Sequence, residues 1–168
     1  MSSPPSISTA HRIAYAQGYL ALGLADDALE EIRFVPDEER DSDAILEIMM
    51  DAHGIRKDWQ AAVPVAQEYA RRHPGDSKGW ISWAFAVRRL ENLAAAEQIL
   101  LEAEKHIGAT CALVHYNLAC YRCQLGDPTG ALHRLARACR LESHWKAAAL
   151  TDPDLVSLKS EIAALPFT

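Results

Sequence analysis

At 168 residues and 49% hydrophobic content, the chain is long enough to bury a core and too apolar for a disordered tail. Its formal charge of −6 argues against a protein that tracks nucleic-acid phosphates, which needs basic stripes, so no nucleic-acid partner is expected. No apolar run approaches the roughly 18–20 residues that span a bilayer, so membrane insertion is not expected either.

The opening MSSPPSIST lacks the basic-then-apolar order of a secretory signal, and residues 1–8 read as a flexible lead. From residue 9 apolar residues recur at helical spacing, first as Ile13, Ala16, Tyr19 and Leu20. Breaks at 24–26 and 36–41 bound a second helix. The second break holds the acidic run Asp37-Glu38-Glu39-Arg40-Asp41, which reads as a solvated loop. Further breaks at 54–58, 75–77, 91–92, 108–110 and 126–128 divide the rest in the same way. Eight helices of roughly 12–15 residues joined by tight turns follow, and the fold class is all-α. Pro64 falls about six residues into the fourth helix, where it removes a backbone donor and is expected to kink the chain.

An internal repeat organises these helices. Ala28, Ala62, Ala96 and Ala131 follow successive turns at steps of 34, 34 and 35 residues. Twelve positions earlier stand Ala16, Met50, Ala84 and Ala119; one place before those stand Tyr15, Met49, Trp83 and Leu118. Four positions after each anchor come Ile32, Ala66, Leu100 and Leu135, and seven after come Val35, Tyr69, Ala103 and Ala138. The longer last step places one extra residue near 106–110.

With Trp80-x-x-Trp83-Ala84, Gly23 and Gly126 at turns and Pro74 closing the second unit, the pattern resembles the tetratricopeptide repeat. The resemblance covers about residues 9–143 as four units, about 9–42, 43–76, 77–111 and 112–143. It departs at the closing proline, where the first, third and fourth units have Arg40, Gly108 and Ser143. It implies a right-handed α-solenoid of antiparallel helix pairs.

After Ser143 the register fails. Thr151-Asp152-Pro153-Asp154 reads as a helix start with Asp152 as N-cap and Pro153 as the first helical residue. Leu155, Leu158, Ile162 and Leu165 then share one face, with Ser157, Lys159, Ser160 and Glu161 on the other. Each repeat of a solenoid leaves an apolar face for its neighbour, so residues 144–168 are expected to cap the array.

Four cysteines, Cys111, Cys120, Cys123 and Cys139, fall in the last third, which suits reduced thiols in a cytoplasmic protein better than a disulfide framework. Cys120-x-x-Cys123 lies within a helix, without the knuckle turn of a zinc site or the βαβ setting of a redox motif, so neither metal nor cofactor is expected. The seven histidines show no metalloprotease spacing, no nucleophile–histidine–acid order stands out, and Trp80 and Trp83 read as packing residues. An enzyme is therefore not expected; a thiol- or metal-dependent catalyst using Cys120 and Cys123 is the weak alternative.

The resemblance implies a concave groove lined by the first helix of each pair, where a protein or peptide partner binds. Carried onto this chain, the groove takes Ile13, Gln17 and Leu20 in the first unit and Glu47 and Asp51 in the second. The third contributes Lys78, Ile81, Phe85, Arg88 and Arg89, and the fourth Tyr116, Cys120, Cys123 and Gln124. Arg88 and Arg89 beside Phe85 suit a partner segment that mixes acidic and apolar residues. Relatives that clamp the carboxylate tails of heat-shock chaperones use lysines, asparagines and an arginine where this chain has Ile13, Gln17, Ile48, Lys78 and Ser82; only Lys78 agrees. The expectation is a non-enzymatic scaffold or adaptor, with a secretion-type chaperone for a protein client as the alternative.

Overall fold

The structure, a computed structural model, describes residues 7–90 and 92–166. Most of the expected lead, Glu91 in the break at 91–92, and Phe167 and Thr168 of the expected cap lie outside the described residues.

Four helix pairs follow one another: α1 (Thr9–Ala21) with α2 (Ala25–Arg33), α3 (Asp43–Arg56) with α4 (Trp59–Arg72), α5 (Ser77–Leu90) with α6 (Leu93–Ile107), and α7 (Ala112–Gln124) with α8 (Pro128–Leu141). A 3₁₀ turn, Asp37–Glu39, precedes α3. After α8 come α9 (Trp145–Thr151), a 3₁₀ helix (Pro153–Leu158) and α10 (Lys159–Ala164). No strand occurs among the described residues, and none of their helices is long and apolar enough to cross a membrane.

Helix ends follow local chemistry. Ser8 caps α1, Asn92 caps α6 and Asp127 caps α8, each accepting from a backbone N–H three residues on. The turn inside a pair needs a left-handed residue, which glycine adopts without a Cβ penalty. Gly23 and Gly126 supply it with φ of 75° and 82°, while the equivalent Lys57 reaches 56° against its own side chain. Where the first unit lacks a closing proline, Arg40 does the tying: its guanidinium donates to the carbonyls of Arg33 and Val35 and meets Asp37 at 2.6 Å. The acidic run is therefore an exposed 3₁₀ turn held by its own arginine. The extra residue of the last repeat step lengthens α6, which runs 15 residues to Ile107 before Gly108 reverses at φ 79°. α4 continues through Pro64, which is exposed.

The chain divides into two compact units, Met1–Tyr69 and Ala70–Thr168. In the first, α1 packs on α2 and α3, and Ala16, Ala28, Ile32, Val35, Ile45 and Ile48 form a core flanked by Ile13, Tyr19, Leu20 and Met49. The Tyr69 hydroxyl donates to Glu47 at 3.1 Å, and Arg12 pairs with Glu31 at 2.8 Å.

In the second, α5, α6, α7 and α8 pack in succession, α5 also touches α7, and α9 lies on α8. Ala70, Trp80 and Ala103 form a cluster against Trp83, Ile99 and Ile107. The indole N–H of Trp80 donates to the Pro74 carbonyl at 3.0 Å, and its ring stacks on Trp83 and His106. The repeat-spaced residues Ala16, Ala84, Ala119, Leu100 and Leu135 are each buried in their own unit, all at 0% exposure. Burying one leucine in this way contributes about 1.5–3 kcal/mol.

Candidate functional site: the face of α5 and α7 under the C-terminal segment

The 3₁₀ helix Pro153–Leu158 lies on α7. Asp152 caps it, accepting from the Asp154 N–H at 2.8 Å, and Pro153 at its first position fixes the backbone. Leu155 and Leu158 on the inner side are 0% and 5% exposed. A 3₁₀ helix has three residues per turn, so residues 152, 155 and 158 share one side; Asp154 and Ser157 flank it.

Each polar group of this segment meets a side chain of the second unit. Arg88, in the last turn of α5, holds the Asp154 carboxylate with both terminal nitrogens, at 2.6 and 3.1 Å. The same guanidinium donates to Gln124 at 2.9 Å, and the Gln124 amide donates to Asp154 in turn. The Tyr116 hydroxyl donates to Asp152 at 2.6 Å, and the Cys120 thiol points at the same oxygen from 3.7 Å. Cys123 Sγ lies 3.3 Å from Ser157 Oγ. Tyr116, Cys120 and Gln124 are four residues apart along α7 and therefore form one stripe. Arg88 sits 5.4 Å over the Tyr121 ring, and Trp145 of α9 packs on Tyr116 at 4.4 Å between ring centres.

The electrostatics match this geometry. The bond to Asp154 raises the Arg88 pKa. Burial first, then the neighbouring carboxylates, drive the Tyr116 hydroxyl and the Cys120 thiol far above their ordinary values. Burial also pushes Tyr121 up to about 12. Both Tyr116 and Cys120 therefore stay protonated and serve as donors to carboxylate oxygens. Together with Arg88 they make a receptor for two carboxylates on one short segment.

Five of the fourteen residues in the expected groove (Arg88, Tyr116, Cys120, Cys123 and Gln124) come together here around an acidic and apolar segment of the chain itself. The other nine lie elsewhere, Gln17 among them, exposed on α1. Phe85 is 37% exposed with Arg89 stacked over its ring at 4.3 Å. Lys78 and Ile81 are half-buried in the first two turns of α5. Glu47 accepts from Tyr69, and Asp51 is exposed on α3. Ile13 and Leu20, placed in the groove from sequence, instead pack against the core of the first unit. They share the i, i+3, i+7 stripe with Ala16 that turns inward. From sequence Asp152 and Asp154 read only as a helix start; two acids flanking a proline and followed by leucine are the sole local signal for this contact.

The Cys120 thiol lies with Asp152 and Asp154 in a group whose ligand atoms fall within 4.8 Å of one another, while Cys123 Sγ faces Ser157. The Arg88 cation pairs with Asp154, and burial pushes the pKa of the thiol up. Both carboxylates are hydrogen-bonded to side chains of α5 and α7.

The first unit carries a different feature, a cleft of about 230 Å³ with Leu29, Ile32 and Met49 on its floor. Arg33, Arg40 and Arg56 rim it, paired with Glu30, Asp37 and Asp26. His53 also lines it, and burial lowers its pKa.

No family model matches the chain, and no curated protein matches it in sequence. Solved structures do. The chain is similar to MamA AMB-1 at 17% identity with a TM-score of 0.64, covering 79% of this chain and 72% of that one. It is similar to MamA MSR-1 at 17% identity with a TM-score of 0.66, covering 79% and 76%. TTC0263, a thermophilic TPR protein of Thermus thermophilus, matches at 18% identity with a TM-score of 0.65, covering 92% of this chain and 98% of that one. At such identities the likeness is one of fold, and that fold is the all-α tetratricopeptide-repeat fold.

Proposed function

We propose that this chain, with its tetratricopeptide-repeat fold, is a non-enzymatic scaffold or adaptor that holds a segment of a protein partner against the first helices of its pairs. The observation that carries the reading is the docking of Asp152–Leu158. Side chains of α5 and α7 there engage both carboxylates and bury both leucines of a short segment. A face that recognises such a segment within its own chain has the donors and apolar contacts to recognise an acidic and apolar segment of a partner. Phe85 with Arg89, and Lys78 and Ile81 nearer the start of α5, extend the binding face along the same helix. In the first unit, Glu47 and Asp51 of α3 are separate candidates for partner contact.

In this reading residues 144–168 also cap the array, since Leu155, Leu158 and Ile162 cover apolar surface that a following repeat would take. Chemistry at the thiols is disfavoured by the raised pKa values of Cys120 and Cys139, both driven first by burial. A cytoplasmic setting fits four unpaired thiols.

The test is capture of partners by the intact chain, with and without Phe85→Ala and Arg89→Glu. Arg89 is chosen over Arg88 because reversing Arg88 also breaks its pair with Asp154. The expected result is a specific partner, held less well as salt rises and lost from the double variant while its circular dichroism shows the helical fold retained. A partner set identical for both proteins would remove this face from the binding surface.

A further inference from the structure

The C-terminal segment has the features of a bound ligand as well as those of a cap. A cap needs only to cover apolar surface, and Leu155, Leu158 and Ile162 do so. Nothing in that task calls for a bidentate arginine, a tyrosine hydroxyl and a glutamine amide on two carboxylates one residue apart. These are the elements of selective recognition: planar donors matched to carboxylate oxygens, in a partly dry setting where Arg88 and Asp154 side chains are 18% and 21% exposed.

The segment is also held locally. Its link to α8 runs through α9, which is only seven residues long, and Val156 and Ser157 on its outer side are exposed.

We infer that the face formed by Arg88, Tyr116, Cys120, Cys123 and Gln124 is a recognition site for a segment with two carboxylates one residue apart followed by leucine. In this chain it is filled by Asp152-Pro153-Asp154-Leu155, and it opens by exchange to a partner protein's segment of the same chemistry. This rests on the scaffold reading above and narrows it. The tethered copy is a competitor at high effective concentration, so a free segment binds the intact chain weakly unless the tethered one is loosened. Affinity is thereby set by how firmly the chain holds its own segment. A partner bearing the acid–x–acid–leucine pattern displaces it, and one lacking either acid leaves Arg88 or Tyr116 without its acceptor and does not.

The experiment uses the full chain and a fluorescent synthetic peptide, Thr-Asp-Pro-Asp-Leu-Val-Ser-Leu-Lys-Ser, the sequence of residues 151–160. Asp152→Asn with Asp154→Asn loosens the tethered copy, and the peptide is expected to bind this variant at least about 10-fold more tightly than the wild-type chain. A peptide with asparagine at both acids is expected to lose that gain. The second arm locks the site instead. Because Cys123 Sγ and Ser157 Oγ are 3.3 Å apart, Ser157→Cys brings a disulfide to Cys123 within reach. Oxidation with diamide is expected to abolish peptide binding, and reduction to restore it.

Equal binding by the locked and reduced proteins overturns the inference, and so does a folded Asn variant that binds no more tightly than wild type. Should the Asn variant fail to fold, the lock decides alone. Dimerisation of the wild-type chain that the lock prevents would make a second copy the occupant and overturn the assignment to a different protein. If the locked chain still captures partners through Phe85 and Arg89, the inference fails while the scaffold reading stands. If the peptide exchanges but no partner is captured, the scaffold reading fails instead.

Discussion

Helices α1 and α7 are both thirteen residues long, and each opens a pair with a fully buried alanine at the crossing, Ala16 or Ala119. Yet α1 buries that one residue and α7 buries eight. The difference comes from neighbours. α1 packs on α2 and α3, whereas α7 lies among α5, α6, α8 and the C-terminal 3₁₀ helix. Equivalent repeat positions thus occur in a helix with one buried residue and in a helix buried nearly all round, with Tyr15 47% exposed and Leu118 0%. A repeat position specifies the crossing within a pair. It does not specify what covers the remaining faces.

The strongest way to break this comparison is to remove what covers α7. Leu155→Ala is expected to cost about 2–5 kcal/mol of unfolding free energy, since it empties a fully buried site. Tyr15→Ala on α1 should stay within about 0.5 kcal/mol, as exposed positions do. Urea denaturation of both variants measures the contrast, and equal losses would mean that α1 is as covered as α7.

What the two helices share is testable next. Ala16→Leu and Ala119→Leu each force a larger side chain into a closed crossing, with an expected cost of about 1–3 kcal/mol apiece. A melting curve unchanged by either would show that the repeat register does not mark the crossing at that end.

Smaller still is the loss from Asp154→Ala. Its pair with Arg88 is bidentate but keeps partial solvent contact, so about 1–2 kcal/mol is expected, shrinking as salt rises. A loss insensitive to salt would mean that the segment is held by its leucines alone.

A pH titration compares the two units through one buried histidine in each. Burial lowers the pKa of His53 in α3, with Asp58 opposing and Arg56 reinforcing; it lowers that of His115 in α7, with the Ala109 carbonyl and Glu104 opposing and Arg137 and Arg134 reinforcing. At His115 the imidazole Nε2–H donates to the Ala109 carbonyl at 3.1 Å, and Nδ1 accepts from Arg134 at 3.1 Å, an arrangement that needs the neutral ring. The unfolded chain takes up these protons first as pH falls, so it binds more protons than the fold below the ordinary histidine value of 6.5. This contribution is fully present above that value and declines from there down to the lowered folded pKa. Hydrogen exchange at pH values of about 7.5 and about 5.5, on either side of the ordinary histidine range, should show protection falling in α3 and α7; His115→Gln should remove the fall around α7 and leave that around α3. A fall around α7 that survives the substitution would place the titrating group elsewhere.

The smallest expected effect is at the turn of the second pair. Lys57→Gly should be neutral or stabilising by up to about 1 kcal/mol, because glycine meets the left-handed backbone without a Cβ. Gly23→Ala at the equivalent turn should cost about as much. Opposite signs at the two turns, read from melting midpoints, would confirm that they share one conformation; a loss at Lys57 would mean that its side chain stabilises the turn.

Much of this molecule is written in its periodicity. The 34-residue spacing places a small or bulky apolar side chain at each helix crossing, and the turn residues stop each helix. These are local properties of a chain whose neighbours in sequence are its neighbours in space, so the sequence alone determined four helix pairs and buried residues such as Ala16, Ala84, Leu100, Ala119 and Leu135. The resemblance to the repeat family, carried onto this chain, also put Arg88, Tyr116, Cys120, Cys123 and Gln124 among groove candidates.

What they would meet was beyond that logic. Arg88 and Asp154 are 66 residues apart, and Tyr116 and Asp152 are 36 apart. No repeat spacing links them, because the segment after Ser143 has left the register. Whether the cysteine pair faces a metal, a partner or the chain's own carboxylates depends on where that segment folds back. Only the tertiary structure decided it, by bringing two acids against an arginine, a tyrosine and a thiol in a place dry enough for their hydrogen bonds to hold.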